Sequence, residues 1–202
     1  MQLENLVVDA LDPQQLGRHW EAEVGGAQLT DAPGIYETRS SDGEDGPWLD
    51  LCFQQVPDAA SEPSRLHVVL GDGAGERSDP EGNPYVGTGP LTALRLESAD
   101  PARDAAFWAW LTGWTRTGES LRHPSGLGPV LELVPERGRK TVKNRRHLDV
   151  RLEPGEDADE VSAAITARGG QEPDPQWGEQ PWRTYLDPSG NEFCVLPVSS
   201  GD

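Results

Sequence analysis

The sequence predicts an α+β fold made of two related halves, because three kinds of segment recur in the same order. Each half begins with an apolar run, an Asp-Pro pair and a stretch with aromatic residues, and two shorter echoes follow. Echoes that keep their order indicate an internal duplication, so each candidate site position can be examined twice. The pairs are residues 6–26 with 94–114, residues 65–70 with 146–152, and residues 79–86 with 187–195.

Both halves open with the same succession of elements. Residues 3–10 are rich in valine and predict a strand, and the Asp-Pro pair at 12–13 then supplies a helix N-cap and a first-turn proline. A Gly-Gly pair at 25–26 ends this helix, while an Asp-Pro pair at 100–101 and Gly113 bound the matching one. With the strand candidates that follow, each half begins as a βαβββ unit. These candidates are residues 34–39, 48–54, 120–123 and 129–134.

The second half continues with elements that the first half lacks. From His147 to Asp187 there are 40 positions, whereas the matching His67 and Asp79 are only 12 positions apart. The first half therefore has no room for a second helix, and its second unit is expected to be a stub. The further elements predicted in the second half are a strand at 147–152, a helix at 160–168, and strands at 182–186 and 192–197.

The formal net charge of −18 in 202 residues is the strongest signal in the composition. Such a charge repels phosphate backbones, so nucleic acid is excluded as the expected partner. Two interpretations remain open: a self-repelling acidic surface, and the steering of a cationic ligand toward an acidic mouth.

The lengths of the apolar runs and the positions of the cysteines predict the compartment and the absence of membrane contact. Its apolar runs are only a few residues long, far below the ~20 residues needed to cross a bilayer, and no secretory leader is visible. Cys52 and Cys194 lie in apolar strand candidates rather than in a paired metal or redox spacing. We therefore expect two reduced thiols in a cytoplasmic protein without a membrane partner.

The second half carries a family resemblance. Its strand–Asp-Pro–helix pattern, KTVKNRRHLDV at 140–150 and WRTYLDPSGNEFCVLP at 182–197 together resemble the glyoxalase-like domains of the vicinal oxygen chelate superfamily, which includes bleomycin-resistance proteins and dioxygenases. The resemblance implies tandem βαβββ modules that form a cupped mixed sheet, and we expect the working cavity in the second half. It also implies a truncated glyoxalase-like domain at residues 1–88 and a complete one at residues 91–198.

The resemblance also implies where a metal would be held. Metal-dependent relatives take four ligands from strands one, four, five and eight of a module pair. Taken half by half, neither set is complete, so we expect the usual metal to be absent. A reduced set of His147, Glu132 and Glu192 stays open as a divalent-metal site, because Glu192 lies two residues before Cys194 on the same face of its strand. The four positions are Ala93, Glu132, His147 and Cys194 in the second half, and Asn5, Gln54, His67 and Val86 in the first.

Each candidate residue also has a structural interpretation. His147, Glu132 and Glu192 are the candidate catalytic acid–base groups, yet His147 could equally bond a backbone carbonyl and start its strand. Tryptophans are more often core than ligand platforms, although one or two could line the cup. The candidate ligand-binding residues are Trp108, Trp182, Asp149 and Cys194.

Three functional classes follow from the resemblance. The first is a protein that binds and sequesters a small metabolite or antibiotic. The second is a divalent-metal lyase, isomerase or dioxygenase, and the third is a metal-free cyclase or isomerase. The incomplete ligand sets favour the first and third. The expected partner is a small organic molecule, the expected cofactor is none or a divalent metal ion, and homodimerisation stays open.

Overall fold

The computed structural model describes residues 1–41, 46–59, 62, 64–173 and 180–199. The α+β character and the order of elements confirm the prediction. The first half contains β1 (Gln2–Ala10), α1 (Pro13–Val24), β2 (Ala27–Ala32), β3 (Ile35–Ser41), β4 (Trp48–Gln55), β5 (Leu66–Leu70), β6 (Glu76–Ser78) and β7 (Pro84–Val86). The second half contains β8 (Leu91–Ser98), α2 (Pro101–Thr112), β9 (Thr115–Thr117), β10 (Ser120–Arg122), β11 (Val130–Pro135), β12 (Arg146–Arg151), α3 (Ala158–Ala167), β13 (Arg183–Leu186) and β14 (Glu192–Leu196).

The helices α1 and α2 begin and end by the same local chemistry in both halves. The side chains of Asp12 and Asp100 each accept a hydrogen bond from the backbone N–H three residues ahead, at 3.0 and 3.1 Å. Gly25 and Gly113 follow the helices with φ of 68° and 69°, a left-handed conformation that glycine adopts without strain. Among the described residues, no helix is both long and apolar enough to cross a bilayer.

The strands of the described residues form two seven-stranded sheets, and each sheet combines strands from both halves. Sheet A has the order β13-β14-β12-β1-β4-β3-β2, and sheet B has the order β6-β7-β5-β8-β11-β10-β9. The two halves meet where β12 pairs antiparallel with β1 in sheet A and where β5 pairs antiparallel with β8 in sheet B. Neither sheet is therefore built from one half of the chain alone. The first strand of each half satisfies its free edge with a strand from the other half.

The second unit of the first half has no helix between β5 and β6, where residues 71–75 form turns. The structure covers this sheet face with two side chains instead. Trp20 of α1 packs on Tyr85 with ring centroids 4.8 Å apart, and the Arg146 guanidinium lies 5.8 Å from the Trp20 ring. Arg146 also donates to the carbonyl oxygens of Leu66 and Pro84 at 3.4 and 3.1 Å. Residues of both sheets consequently share one hydrophobic core.

Candidate functional site

The face of sheet A that points away from the core carries an unusual set of polar side chains. Strand side chains alternate between faces, and Leu148 and Val150 of β12 are in the core. His147 and Asp149 therefore point to the opposite face. Asp149 lies beside Cys194 in the parallel pair of β12 and β14, so three potential metal donors come from two neighbouring strands.

A cavity of 720 Å³ opens on this face, and we call it the sheet A cavity. Its walls come from β1, β4, β12, β13 and β14, from the segment that follows β4, and from the basic segment that precedes β12. The lining residues are Asp9, Gln54, Gln55, Val56, Pro57, Asp58, Ala59, Val142, Lys143, Arg145, His147, Gln180, Trp182, Thr184, Glu192 and Cys194.

Short distances join His147, Asp149 and Cys194 into one cluster, which we call the donor cluster. One potential ligand atom from each residue lies within 4.8 Å of the other two. His147 Nε2 is 3.4 Å from Asp149 Oδ1, while Asn5 Nδ2 donates to Asp149 Oδ2 at 3.3 Å. Thr184 Oγ1 lies 3.7 Å from Cys194 Sγ. Within the described part of the chain, the buried atoms His147 Nδ1 and Asp149 Oδ1 have no hydrogen-bond partner.

Burial controls the protonation of the donor cluster. Loss of hydration, helped by the charge of Lys143, lowers the pKa of His147 to about 3, so the imidazole is neutral. The same loss of hydration raises the pKa of Asp149 to about 7, against the opposing effect of its hydrogen bond from Asn5. Burial also raises the pKa of the Cys194 thiol. Near neutral pH the His147 ring and the Cys194 thiol are therefore uncharged, and Asp149 is close to its titration midpoint.

Glu192 and Glu132, which were predicted to act with His147, occupy different environments. Glu192 lines the sheet A cavity, but its carboxylate accepts hydrogen bonds from Lys140 Nζ at 2.5 Å and from the backbone N–H of Asn144 at 3.2 Å. Glu132 lies on β11 of sheet B and is bound by Arg95 Nε at 2.7 Å. The grouping of Glu132 with His147 is therefore corrected, because the strand pairing places them on different sheets.

The two candidate ligand-binding tryptophans also lie in different environments. Trp182 lines the sheet A cavity together with Cys194, whereas Trp108 is fully buried in the core. The indole Nε1 of Trp108 donates to Asp187 Oδ2 at 3.2 Å, which satisfies its only polar atom. Trp108 therefore has a packing role rather than a place in the cavity. Trp177 lies outside the described residues.

The four positions that the resemblance assigns to metal ligands can now be grouped by sheet. The hard four-donor set fits neither group. In sheet A, the Asn5 amide is used to hold Asp149, and the last position is a thiol. In sheet B, two of the four side chains are aliphatic and cannot ligate. The sheet A group is Asn5, Gln54, His147 and Cys194, and the sheet B group is Ala93, Glu132, His67 and Val86.

A second depression of 530 Å³ lies on sheet B, around His67. Its Nε2 is 2.9 Å from Glu97 Oε1, and Arg137 Nε is 3.4 Å from the same oxygen. Burial lowers the pKa of His67, although the Glu97 hydrogen bond opposes this shift. The residue is thus satisfied within sheet B and takes no part in the donor cluster.

Sequence reasoning missed the cations at the rim of the sheet A cavity. Lys143 Nζ binds Asp9 Oδ2 at 2.6 Å, Arg145 Nη1 lies 4.0 Å from the same oxygen, and Lys140 Nζ binds Glu192. The signal was present in the run RGRKTVKNRR at 137–146, which is strongly basic in an acidic chain. An acidic mouth that steers cations does not describe this rim, where cations and carboxylates alternate.

Comparison with known proteins supports the resemblance. Residues 93–196 match the family model described as a glyoxalase-like domain, which is half of the chain. The search of curated proteins gave no significant match.

The comparison with solved structures gave matches at low sequence identity, and the first of them shares the fold. The cppA protein from Streptococcus pneumoniae TIGR4 is 12% identical, with a TM-score of 0.51 and coverage of 98% of both chains. The Mn(II)-bound glyoxalase from Novosphingobium aromaticivorans is 11% identical, with a TM-score of 0.38 and coverage of 97% of this chain and 81% of that one. Homoprotocatechuate 2,3-dioxygenase from Arthrobacter globiformis is 12% identical, with a TM-score of 0.33 and coverage of 98% and 79%.

Proposed function

Because the chain belongs to the glyoxalase-like family of the vicinal oxygen chelate superfamily, we propose that its sheet A cavity binds a small organic molecule. One observation carries the proposal: a cavity of 720 Å³ opens beside buried polar atoms of the donor cluster that have no protein partner among the described residues. Cavities of about 300–1,000 Å³ with a few convergent polar groups are the usual small-molecule sites.

The lining residues suggest how such a molecule is held. Trp182 offers a flat aromatic wall, and the Thr184 hydroxyl can donate or accept a hydrogen bond. The neutral His147 ring has one N–H donor and one acceptor nitrogen, so it can orient a bound ligand by hydrogen bonds. Asp149 lies next to the His147 ring, and its pKa of about 7 suits it to take or give a proton near neutral pH.

The missing hard donors favour sequestration or metal-free acid–base catalysis over the four-ligand chemistry of metal-dependent relatives. Asn5 and Cys194 stand at two of the four ligand positions of the sheet A group, and the Asn5 side chain is already bound to Asp149. A ligand that is bound tightly and recovered unchanged would support sequestration. Turnover by protein that has been treated with a chelator would support the metal-free enzyme.

Filling the cavity tests the proposal. The fluorescent probe 8-anilinonaphthalene-1-sulfonate, titrated into the native protein, is expected to bind at one site, and Thr184→Phe is expected to weaken that binding at least about 10-fold by occupying the cavity. Ser120→Phe is the matched control, because Ser120 faces Glu132 across β10 and β11 as Thr184 faces Cys194 across β13 and β14. Unchanged probe affinity in a folded Thr184→Phe protein would contradict the proposal.

A further inference from the structure

The donor cluster combines one imidazole, one carboxylate and one thiol, a set that differs from the hard four-ligand set of metal-dependent relatives. We propose that His147, Asp149 and Cys194 form a three-donor site for a thiophilic divalent cation of the zinc and cobalt class. The site lies at the sheet A cavity and extends the proposed function, but the binding of the metal does not require that function to hold.

The geometry needs only a small contraction to accept an ion. Donors around one zinc ion at its usual bond lengths of about 2.0–2.3 Å lie roughly 3.5 Å apart. One donor atom from each residue lies within 4.8 Å of the other two, and His147 Nε2 is 3.4 Å from Asp149 Oδ1. The largest separation therefore exceeds that of a zinc site by at most about 1.3 Å, which side-chain rotation can supply.

Independent support comes from an unpartnered polar atom. Asp149 is only 5% exposed, yet its Oδ1 accepts no hydrogen bond from the described residues. Buried polar atoms are nearly always satisfied, so this oxygen needs an explanation. A cation bound between Asp149 Oδ1 and His147 Nε2, which lie 3.4 Å apart, can satisfy a lone pair on each.

Asn5 fits this interpretation as a positioning residue. It occupies the strand-one ligand position, but its Nδ2 donates to Asp149 Oδ2 and leaves Oδ1 free on the side of His147. Residues that hold a metal ligand by a hydrogen bond fix its orientation and raise its affinity for the ion. The ligand function has thus moved from β1 to the neighbouring β12, and β1 has kept a supporting role.

Charge and donor type point to the class of ion. A thiolate, a carboxylate, a neutral imidazole and a divalent cation sum to zero, so the filled site would be electrically neutral in its buried position. Thiolate ligands favour zinc and related ions, whereas magnesium and manganese prefer sites made of oxygen donors. Three protein donors leave a further coordination position, and His147 and Cys194 both line the cavity through which a ligand would reach it.

Cobalt is the probe that reports the thiolate directly. The full-length protein, stripped with a chelator and kept reduced, is titrated with Co²⁺ alone. We expect one ion per chain and a thiolate-to-cobalt charge-transfer band in the near ultraviolet, both displaced by Zn²⁺. Cys194→Ser should abolish the band. It should also weaken binding by more than the roughly 10- to 100-fold that loss of a supporting residue costs.

Matched controls make the result decisive. Cys52→Ser removes a second buried thiol of the same sheet and should leave both the band and the affinity unchanged. Asp149→Asn provides a second, nearly isosteric test of the site, with folding of every ligand-free variant checked by thermal unfolding. Absence of Co²⁺ binding at micromolar concentration, or a band that survives Cys194→Ser, overturns the metal site. Probe binding by the same metal-free protein then shows whether the cavity proposal stands without it.

Discussion

Asn5 on β1 lies directly opposite Asp149 on β12, and its side-chain amide donates to the Asp149 carboxylate at 3.3 Å. The two residues come from different halves of the chain, 144 positions apart. Their hydrogen bond therefore links the pairing of β1 with β12, where the two halves meet, to the donor cluster. A change in either residue should affect both the stability of this strand pairing and the binding of ligands at the cavity.

Replacement of Asn5 by alanine is expected to lower the free energy of unfolding by about 1–3 kcal/mol, because a buried carboxylate oxygen loses its donor. Its affinity for Co²⁺ should fall about 10- to 100-fold, since Asp149 is no longer oriented. Denaturant unfolding and cobalt titration measure the two effects. Gln28→Ala, at an exposed position of β2, serves as the control and should stay within about 0.5 kcal/mol of the native protein. A stable Asn5→Ala protein with native cobalt affinity would contradict this role.

The local parts of the fold could be predicted from the sequence because their signals lie within a few residues. The Asp-Pro pairs at 12–13 and 100–101 start their helices as expected, and Gly113 follows α2 in the expected left-handed conformation. His147 and Cys194 were placed in strands that do line a cavity.

The pairing of strands across the halves could not be predicted in the same way. Alternation of apolar residues shows which face of a strand is buried but not which distant edge completes its hydrogen bonds. Glu132 was therefore grouped with His147, although β11 and β12 belong to different sheets. The partnership of Asn5 and Asp149 was missed for the same reason, because it exists only after β1 and β12 pair.

The two tryptophans predicted to bind ligand should respond oppositely to substitution. Trp182→Ala removes an aromatic wall of the sheet A cavity and should weaken binding of 8-anilinonaphthalene-1-sulfonate at least several-fold while the fold is kept. Trp108→Phe loses the hydrogen bond to Asp187 and should cost about 1–3 kcal/mol of stability without a change in probe affinity. Fluorescence titration and denaturant unfolding of both variants separate the two roles. Equal losses of probe affinity would show that the assignment is wrong.

Arg146 should be among the most sensitive positions of the core. Its side chain is 1% exposed, and its Nη2 lies 3.6 Å from Oδ2 of the fully buried Asp79. Removal of one partner from a buried ion pair costs about 3–5 kcal/mol, because the other charge stays behind without compensation. Arg146→Met should show a loss of this size in denaturant unfolding, whereas Arg116→Met at an exposed position of β9 should stay within about 0.5 kcal/mol. A loss below about 1 kcal/mol would mean that groups other than Arg146 stabilise the buried Asp79 carboxylate.

His67 should make the protein less stable in mild acid. Its folded pKa is lowered below 6.5, first by burial and then by the charges of Arg137 and Arg146, while Glu97 opposes the shift. As the pH falls, His67 of the unfolded chain is therefore protonated near pH 6.5, whereas His67 of the folded chain stays neutral until a lower pH. The stabilising contribution is complete above pH 6.5 and is lost as the pH falls from there toward the folded pKa.

His67→Gln removes this proton uptake and keeps an N–H donor for Glu97. The stability difference between the native protein and the variant should thus shift in favour of the variant as the pH falls below 6.5. Denaturant unfolding at a series of pH values measures this stability difference. Because both proteins share the other titrating groups, the contributions of those groups cancel in it. The His67 ring resonances should titrate below pH 6.5 in nuclear magnetic resonance spectra of the native protein. A ring that titrates above this value would mean that the Glu97 carboxylate, rather than burial, controls the proton.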